Sequence, residues 1–173
     1  MSRLESLFGT ARPVALVTGS GAPRLGNAIV RSLAARGYHV AIHSYRSSDE
    51  AEQTAAELRQ EGANVFVCNA DVSDEQQVRN MVEAVKAHFG RIDVLVNCAA
   101  IWKPMQLEAV TAAEVRRNFD INTLGTFLCC QQVGLLMASQ PNGGAIVNVG
   151  DWAIKRPYLD YAAYFPSKGA IPT

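Results

Sequence analysis

Residues 14–26 read Val14-Ala-Leu-Val-Thr-Gly-Ser-Gly-Ala-Pro-Arg-Leu-Gly26, a short apolar run that leads into a turn rich in glycine. The run 14–18 predicts a strand that is buried on both faces of a sheet. Apolar residues then recur at helical spacing from Leu25 to Gly37. A helix is therefore predicted directly after the turn, with Gly37 as its C-cap.

Strand-like runs and helical patterns alternate along the rest of the chain. This alternation predicts a parallel sheet with helices on both faces, joined by right-handed crossovers. We expect one doubly wound, three-layer α/β domain over residues 1–173 with strand order 3-2-1-4-5, and no repeat or linker divides it. The further predicted strands are 39–43, 64–68, 92–97 and 145–149, and the further predicted helices are 49–61, one from about residue 74, and 111–139.

The composition indicates a globular, soluble protein. Hydrophobic residues make up 49% of the chain and charged residues 18%, and the formal net charge is zero. Because no basic run or basic patch with interleaved aromatic residues is present, we expect no nucleic-acid partner. We expect no apolar run of membrane-spanning length and no membrane partner. The first residues carry Glu5 and lack an apolar core, so they do not predict a secretory signal.

The four cysteines do not show the spacing of a metal or redox site. Cys68, Cys98, Cys129 and Cys130 lack a C-x-x-C pattern, and each lies in an apolar segment. We interpret them as reduced, buried small side chains. A cytoplasmic protein without a metal site is predicted.

The glycine-rich turn 18–26 predicts a nucleotide site. Glycines between a first strand and a first helix let the backbone approach a pyrophosphate, which then lies at the helix N-terminus. The alternative is a tight strand–helix connection without a ligand. The position after the first buried strand favours nucleotide binding, and in such sheets ligands bind beyond the carboxyl ends of the strands.

The end of the second strand favours NADP over NAD. Sites for NAD carry an acidic residue about 20 residues after the turn, which holds the ribose hydroxyls. Here the stretch is His43-Ser-Tyr-Arg-Ser-Ser48, and the first acidic residue is Asp49. Arg46, together with Arg24 in the turn, is placed to meet a 2′-phosphate. The alternative is that both arginines are solvated loop charges.

Tyr164 and Lys168 are four residues apart, which places both side chains on one face of a helix. An ammonium beside a phenol stabilises the tyrosinate and lowers the pKa of the tyrosine toward the working pH. The pair therefore predicts a proton donor with a tuning cation. The alternative is two ordinary side chains of an amphipathic helix.

Several short motifs occur together in one order. Jointly they resemble the short-chain dehydrogenase/reductase family, and the resemblance runs from about residue 13 to the last residue. They are the Thr18-Gly19 turn, Asp71-Val72, Asn97-Cys-Ala-Ala100, Asn122, Asp151, and Tyr164 with Lys168.

The resemblance implies a Rossmann domain that transfers hydride between NADP(H) and a carbonyl or imine. It implies that Tyr164 is the general acid and that Lys168 lowers its pKa and binds the nicotinamide ribose. Asn122 would hold a water that links Lys168 to solvent. The implied catalytic residues are Asn122, Asp151, Tyr164 and Lys168, and the candidate cofactor-binding residues are Gly19, Ser20, Arg24, Leu25, Gly26, Ser44, Tyr45, Arg46, Asp71, Val72, Asn97, Ala99, Tyr164 and Lys168.

Two of these motifs have local alternatives. For Asp71, which would contact the adenine, the alternative is a helix N-terminal residue before Ser73. For Asn122, the alternatives are competition for helix N–H groups or a surface position, although asparagine is unfavourable inside a helix and its presence there favours a special role. Asn97 would support the central sheet beside the cofactor.

The chain departs from the family pattern in its turn and after the fourth strand. The turn is one residue longer than usual and has Arg24 where a second glycine is common, and the stretch 97–100 is Asn-Cys-Ala-Ala. The Arg-Leu-Gly ending resembles pteridine reductases, a subgroup that uses NADPH.

Asp151 stands where the family usually has serine. An ionised carboxylate cannot donate to a substrate carbonyl, and its charge raises the pKa of Tyr164 against the effect of Lys168. Aspartate is useful where the substrate has nitrogen donors or where the acid form delivers a proton, and pteridine reductases have aspartate here. Reduction of a pterin-like substrate with a C=N bond is predicted. The alternative is a carbonyl reductase in which Ser20 or another donor compensates.

In the family, the helix of Tyr164 and Lys168 continues, and further strands and a substrate-covering loop follow. The sequence stops at Thr173, so we expect a fragment of a longer reductase with little turnover on its own. Full-length members are expected to form homo-oligomers. A second reading is a non-catalytic nucleotide-binding module or an inactive reductase fragment.

Overall fold

Five parallel strands form one sheet in the order β3-β2-β1-β4-β5 in the computed structural model, which describes residues 3–172. The predicted fold class and strand order are confirmed. The strands are β1 Val14–Thr18, β2 His39–Ser44, β3 Val65–Asn69, β4 Val94–Asn97 and β5 Ala145–Asn148.

Helices cover both faces of the sheet. One core cluster packs α4 and α6 against the sheet, and the other packs α1, α2 and α3 against the opposite face. The helices are α1 Arg3–Phe8, α2 Leu25–Ala34, α3 Ser48–Gln60, α4 Glu75–Phe89, α5 Ala112–Asn118, α6 Gly125–Ala138 and α7 Tyr164–Gly169.

β1 lies at the centre of the sheet, and all of its residues are buried. It pairs with β2 on one side and with β4 on the other, where Thr18 is level with Asn97. The connection from β1 leads to β2, whereas β4 is reached only after β3, so the strand order reverses between β1 and β4. This reversal opens a crevice at the carboxyl ends of the two strands.

The run 112–138 is helical throughout, as predicted, but one segment widens. Residues Phe119–Leu124 form a π-helical segment between α5 and α6. By length and composition alone the run could cross a membrane, which corrects the expectation that no apolar run would be long enough. This is weak evidence, because Leu128, Cys129 and Val133 of the run belong to the core against the sheet.

Two predicted boundaries differ by more than one residue. α2, the first predicted helix, ends at Ala34 and not at the predicted C-cap Gly37, because the chain after it tightens to i→i+3 hydrogen bonds, such as that from the Gly37 N–H to the Ala34 carbonyl. β4 begins at Val94, which is level with Ala15 near the start of β1. α1 was not predicted.

The edge strand β5 is exposed along its length. Ile146 and Val147 are 39% and 50% exposed, unlike the buried residues of β4 beside them. The sheet is therefore covered over β1 to β4 and open at its β5 edge.

Candidate active site

A cavity of about 740 Å³ lies along the carboxyl ends of the strands. It is bordered by the β1–α2 turn, the end of β2, the loop after β3 and the loop after β4. Of the predicted cofactor residues, the cavity is lined by Gly19, Arg24, Leu25, Gly26, Ser44, Tyr45, Arg46, Asp71, Val72 and Ala99.

The glycine turn closes tightly on its neighbours. Gly19 has φ +64°, and a Cβ there would lie 2.7 Å from the Ala99 Cα. A Cβ on Gly26 would lie 2.6 Å from the Gly19 carbonyl oxygen. Both positions therefore require glycine. The longer turn still ends with the first amides of α2 at the cavity, and these amides have no partner within the helix.

Four predicted cofactor residues lie outside the cavity lining, namely Ser20, Asn97, Tyr164 and Lys168. The Ser20 hydroxyl is fully buried and donates to the Val17 carbonyl at 2.7 Å. This corrects Ser20 both as a cofactor contact through its side chain and as a compensating donor to substrate. Asn97 is also buried and donates to Asn148 Oδ1 at 2.9 Å, a contact that ties β4 to β5. Within residues 3–172, its own Oδ1 is a buried oxygen without a hydrogen-bond partner.

The end of β2 presents cationic and hydroxyl groups to the cavity. The Arg46 guanidinium lies 5.1 Å from the centre of the Tyr45 ring, a cation–π arrangement that orients it. Asn69 Nδ2 donates to Ser44 Oγ at 3.3 Å and to the Tyr45 carbonyl at 3.1 Å. Glu50 also lines the cavity, so the charge there is mixed.

Asp71 is held in a local turn. Its Oδ1 accepts hydrogen bonds from the Ser73 N–H at 2.9 Å and from the Ser73 hydroxyl at 2.6 Å. Partial burial works in the opposite direction, but hydrogen bonds from Ser73 and Tyr45 lower the pKa of Asp71. The local alternative of a helix N-terminal residue is wrong, because α4 begins at Glu75 with Asp74 as its N-cap. Asp71 and Val72 line the cavity.

Asn122 lies in the π-helical segment and is fully buried. Its Oδ1 accepts from the Ile101 N–H at 2.8 Å, and its Nδ2 donates to the Ile101 carbonyl at 3.1 Å and to Ser167 Oγ at 2.9 Å. The surface alternative is wrong. Asn122 joins the loop after β4 to α7, the helix of Tyr164 and Lys168.

Tyr164 and Lys168 lie on α7 as predicted, and Tyr164 contacts Asp151. The Tyr164 hydroxyl donates to Asp151 Oδ2 at 2.8 Å, and Asp151 Oδ1 accepts from the Ala153 N–H at 2.8 Å. Burial and the adjacent Asp151 carboxylate raise the pKa of Tyr164. Lys168 was expected to lower the pKa of Tyr164, and this lowering is not found. Asp151 was expected to raise the pKa of Tyr164, and this effect is present.

Lys168 does not lower the pKa of Tyr164 because its ammonium points to a backbone carbonyl. Its Nζ donates to the Val149 carbonyl at 2.6 Å, so its nearest partner is backbone. Burial lowers the pKa of Lys168, and the neighbouring Asp151 and Cys98 act in the opposite direction. Burial, and then the carboxylate that accepts from the phenol, keep the Tyr164 hydroxyl protonated.

Aromatic side chains that the sequence reading missed surround Tyr164. Trp102 stacks on Tyr161 with ring centres 5.0 Å apart, and Tyr161 meets the Tyr164 ring edge-on at 6.2 Å. Trp102 also lines the cavity and is 57% exposed. This aromatic wall of Trp102 and Tyr161 connects the cofactor cavity with the Asp151–Tyr164 pair. Only the stacked geometry reveals it, because the two rings are far apart in sequence.

The cysteines and possible metal ligands remain inactive in this arrangement. All four cysteines are free, with Cys68 and Cys129 buried and Cys98 and Cys130 half-buried, which corrects the expectation that all four are buried. Burial raises the pKa of Cys98 to about 11, so its thiol is neutral. Among residues 3–172, no group of His, Cys, Asp or Glu is arranged to hold a metal ion.

Comparison with known proteins gives consistent matches. The family described as short chain dehydrogenase matches residues 13–173. The uncharacterized oxidoreductase YgfF of Escherichia coli K12 is 39% identical over 167 residues, which are 92% of this chain and 66% of that protein. D-threitol dehydrogenase of Mycolicibacterium smegmatis is 39% identical over 160 residues, 91% of this chain and 60% of that protein. The crystal structure of gox2181 superposes with a TM-score of 0.87 at 34% identity over 97% of this chain and 65% of that one.

Proposed function

The chain belongs to the short-chain dehydrogenase/reductase family, and from this membership we propose that the protein is an NADP-dependent oxidoreductase that reduces a pterin-like or other C=N-containing ring. The chain spans about two thirds of the length of the relatives it matches. The proposal therefore concerns the whole protein. The observation that carries it is the hydrogen bond from Tyr164 to Asp151 beside the cavity.

The residues at the cavity fit a dinucleotide. The close approach of Gly19 and Gly26 leaves backbone, without side chains, at the start of α2, which suits a pyrophosphate. Arg24 and Arg46 both line the cavity, and guanidinium groups pair with phosphate oxygens through two hydrogen bonds. When bound, NADPH supplies the hydride.

Tyr164 is the proton donor in this proposal. Its pKa is raised by burial and Asp151, so it holds its proton over the whole working range of pH. The Lys168 ammonium lies one helical turn away and binds the Val149 carbonyl. Once a substrate atom replaces Asp151 as acceptor, the phenol can donate to that atom. A Lys168 ammonium that turned from the Val149 carbonyl toward the phenol would then stabilise the tyrosinate.

Asp151 and the aromatic wall favour a flat, nitrogen-bearing ring. An ionised carboxylate accepts hydrogen bonds, which suits ring N–H or amino groups and disfavours a carbonyl oxygen. Trp102 is exposed beside the cavity and stacked on Tyr161, and such a surface suits a planar ring. Both features are met by a pterin-like heterocycle.

A second candidate is reduction of a simple carbonyl or oxidation of a polyol. The relative named D-threitol dehydrogenase favours it. A third reading is a nucleotide-binding module without catalysis, in which the Tyr164 hydroxyl stays bound to Asp151.

The test is NADPH oxidation by the full-length protein with 7,8-dihydrobiopterin and with a panel of aldehydes and ketones. We expect turnover of the pterin, loss of about 10²-fold to 10⁴-fold in kcat for Tyr164→Phe, and unchanged NADPH affinity in that variant. Asp151→Ser should lose activity on the pterin and gain activity on carbonyls. Turnover of carbonyls alone would support the second candidate. Cofactor binding without turnover of any substrate would support the module.

A further inference from the structure

His43 stands at the end of β2, behind the cofactor turn, and is 1% exposed. Its Nδ1 accepts a hydrogen bond from the Gly19 N–H at 2.9 Å, and its Nε2 lies 3.0 Å from the Ala70 carbonyl oxygen. A backbone N–H can only donate and a carbonyl can only accept. The two partners therefore require a neutral imidazole that carries its hydrogen on Nε2.

The backbone of His43 holds the same turn. Its carbonyl accepts from the Ser20 N–H at 2.9 Å and from the Gly21 N–H at 3.2 Å, and its N–H donates to Ser20 Oγ at 3.1 Å. With the bond to Nδ1, His43 makes hydrogen bonds to three successive turn residues. Their amides point toward β2, which leaves the first amides of α2 for a ligand.

We propose that His43 is the positioning residue of the cofactor turn, and that a second proton on its imidazole releases Gly19 and weakens cofactor binding. A doubly protonated imidazole has a donor at both nitrogens, so the Gly19 N–H would face another N–H. On the side of β4 Gly19 is packed closely, because a Cβ there would lie 2.7 Å from the Ala99 Cα. The identity of the ligand, NADP(H), rests on the proposed function, whereas the hydrogen bonds between His43 and the turn do not depend on it.

The surroundings of His43 set the direction of its titration. Burial lowers its pKa, and the bond to the Ala70 carbonyl and the charge of Asp71 oppose this shift. Cys68, level with His43 on β3, is a neutral thiol whose pKa burial raises to about 12. Turn residues 19–21 carry no titratable side chain. The stabilising contacts are therefore complete above the ordinary histidine pKa and are lost as the pH falls through the lowered one.

The first arm of the test needs no cofactor. The chain has three histidines, so the variant His39→Asn/His88→Asn leaves His43 as its sole imidazole. Long-range ¹H–¹⁵N spectra of that variant should show the Nε2–H form, and the Gly19 amide resonance should shift as His43 takes its second proton. An Nδ1–H form, or a Gly19 amide that does not respond, would overturn the proposal.

The second arm is a calorimetric titration with NADP⁺ between pH 7.5 and 5, with circular dichroism to verify folding. In His43→Asn the amide oxygen replaces Nδ1 as acceptor and does not titrate, whereas in His43→Gln the amide reaches only the Nε2 position. We expect the affinity of the parent chain to fall by up to about tenfold per pH unit below the titration of His43. His43→Asn should keep affinity with a flatter profile, and His43→Gln should be weak at every pH.

The 2′-phosphate of NADP⁺ titrates as well, but it does so equally in all variants, so the difference between the parent and His43→Asn isolates the imidazole. Identical pH profiles in the two chains would overturn the proposal, because a merely structural histidine changes stability and not this difference. If no variant binds NADP⁺ while the spectra are as expected, the proposed function fails. The role of His43 in holding the turn is then supported by the first arm.

Discussion

Asp151 and Tyr164 show how one residue type changes the chemistry of a site. The serine-to-aspartate departure was readable from the sequence, and its electrostatic effect followed from charge alone: the carboxylate raises the pKa of the phenol. The effect of Lys168 was not predictable, because it depends on where a flexible side chain points. Its ammonium binds the Val149 carbonyl.

The residue-scale prediction is that Asp151→Ser lowers the pKa of Tyr164. The substitution removes both the hydrogen bond that the phenol donates and the negative charge beside it. Tyrosinate formation, followed by absorbance at 295 nm, should shift to lower pH for one tyrosine. Tyr164→Phe is the control that identifies the residue. An unchanged titration curve would show that burial alone raises the pKa.

His43 was missed at the same scale for a different reason. Its partners are Gly19, which is 24 residues away, and Ala70, which is 27 residues away. No local sequence pattern predicts hydrogen bonds between residues so far apart in the chain. The predicted strand order places these three residues near one another, but it does not predict which way the His43 side chain points.

The strands were predictable at the scale of elements, because buried parallel strands are short apolar runs. β1 has the predicted bounds, and β2, β3 and β5 differ by one residue at one or both ends. The π-helical segment was not predictable. It is stabilised by Asn122, whose side-chain amide accepts from the N–H of Ile101 and donates to the carbonyl of Ile101 in the loop after β4.

The element-scale prediction is that Asn122→Ala destabilises the chain and loosens α7. The substitution leaves the partly buried N–H and carbonyl of Ile101 without their partners, which costs up to about 1–3 kcal/mol for each group that stays unsatisfied. Urea unfolding measures the loss. Asn80→Ala, on the exposed face of α4, is the control and should change the free energy of unfolding by less than about 0.5 kcal/mol. Equal effects of both substitutions would contradict the account.

At the scale of the whole molecule, the amino ends of the strands are tied together by Asp93. This fully buried carboxylate accepts from the Val14 N–H at 2.8 Å and from Arg91 Nε at 2.8 Å, and Arg91 also donates to the Phe8 carbonyl at 2.8 Å. The site thus lies at one end of the sheet and this anchor at the other.

The whole-molecule stability prediction is that Asp93→Ala lowers the free energy of unfolding by about 3 kcal/mol, because it leaves the Arg91 charge and the Val14 N–H unpaired. Urea unfolding is again the measurement. The matched control, Arg79→Ala, removes an exposed ion pair with Glu75 and should cost less than about 1 kcal/mol. A loss for Asp93→Ala no larger than that of the control would refute the anchor.

The most direct test of the central claim, an NADP-dependent reductase, is a fluorescence titration of the chain with NADPH and with NADH, in parent and Arg46→Ala forms. We predict tighter binding of NADPH, and a loss of about tenfold to a hundredfold in its affinity on removal of the guanidinium. NADH affinity should be nearly unchanged, and Arg79→Ala should bind like the parent. Equal affinities for the two cofactors, or an Arg46→Ala chain that binds NADPH as tightly as the parent, would contradict the account.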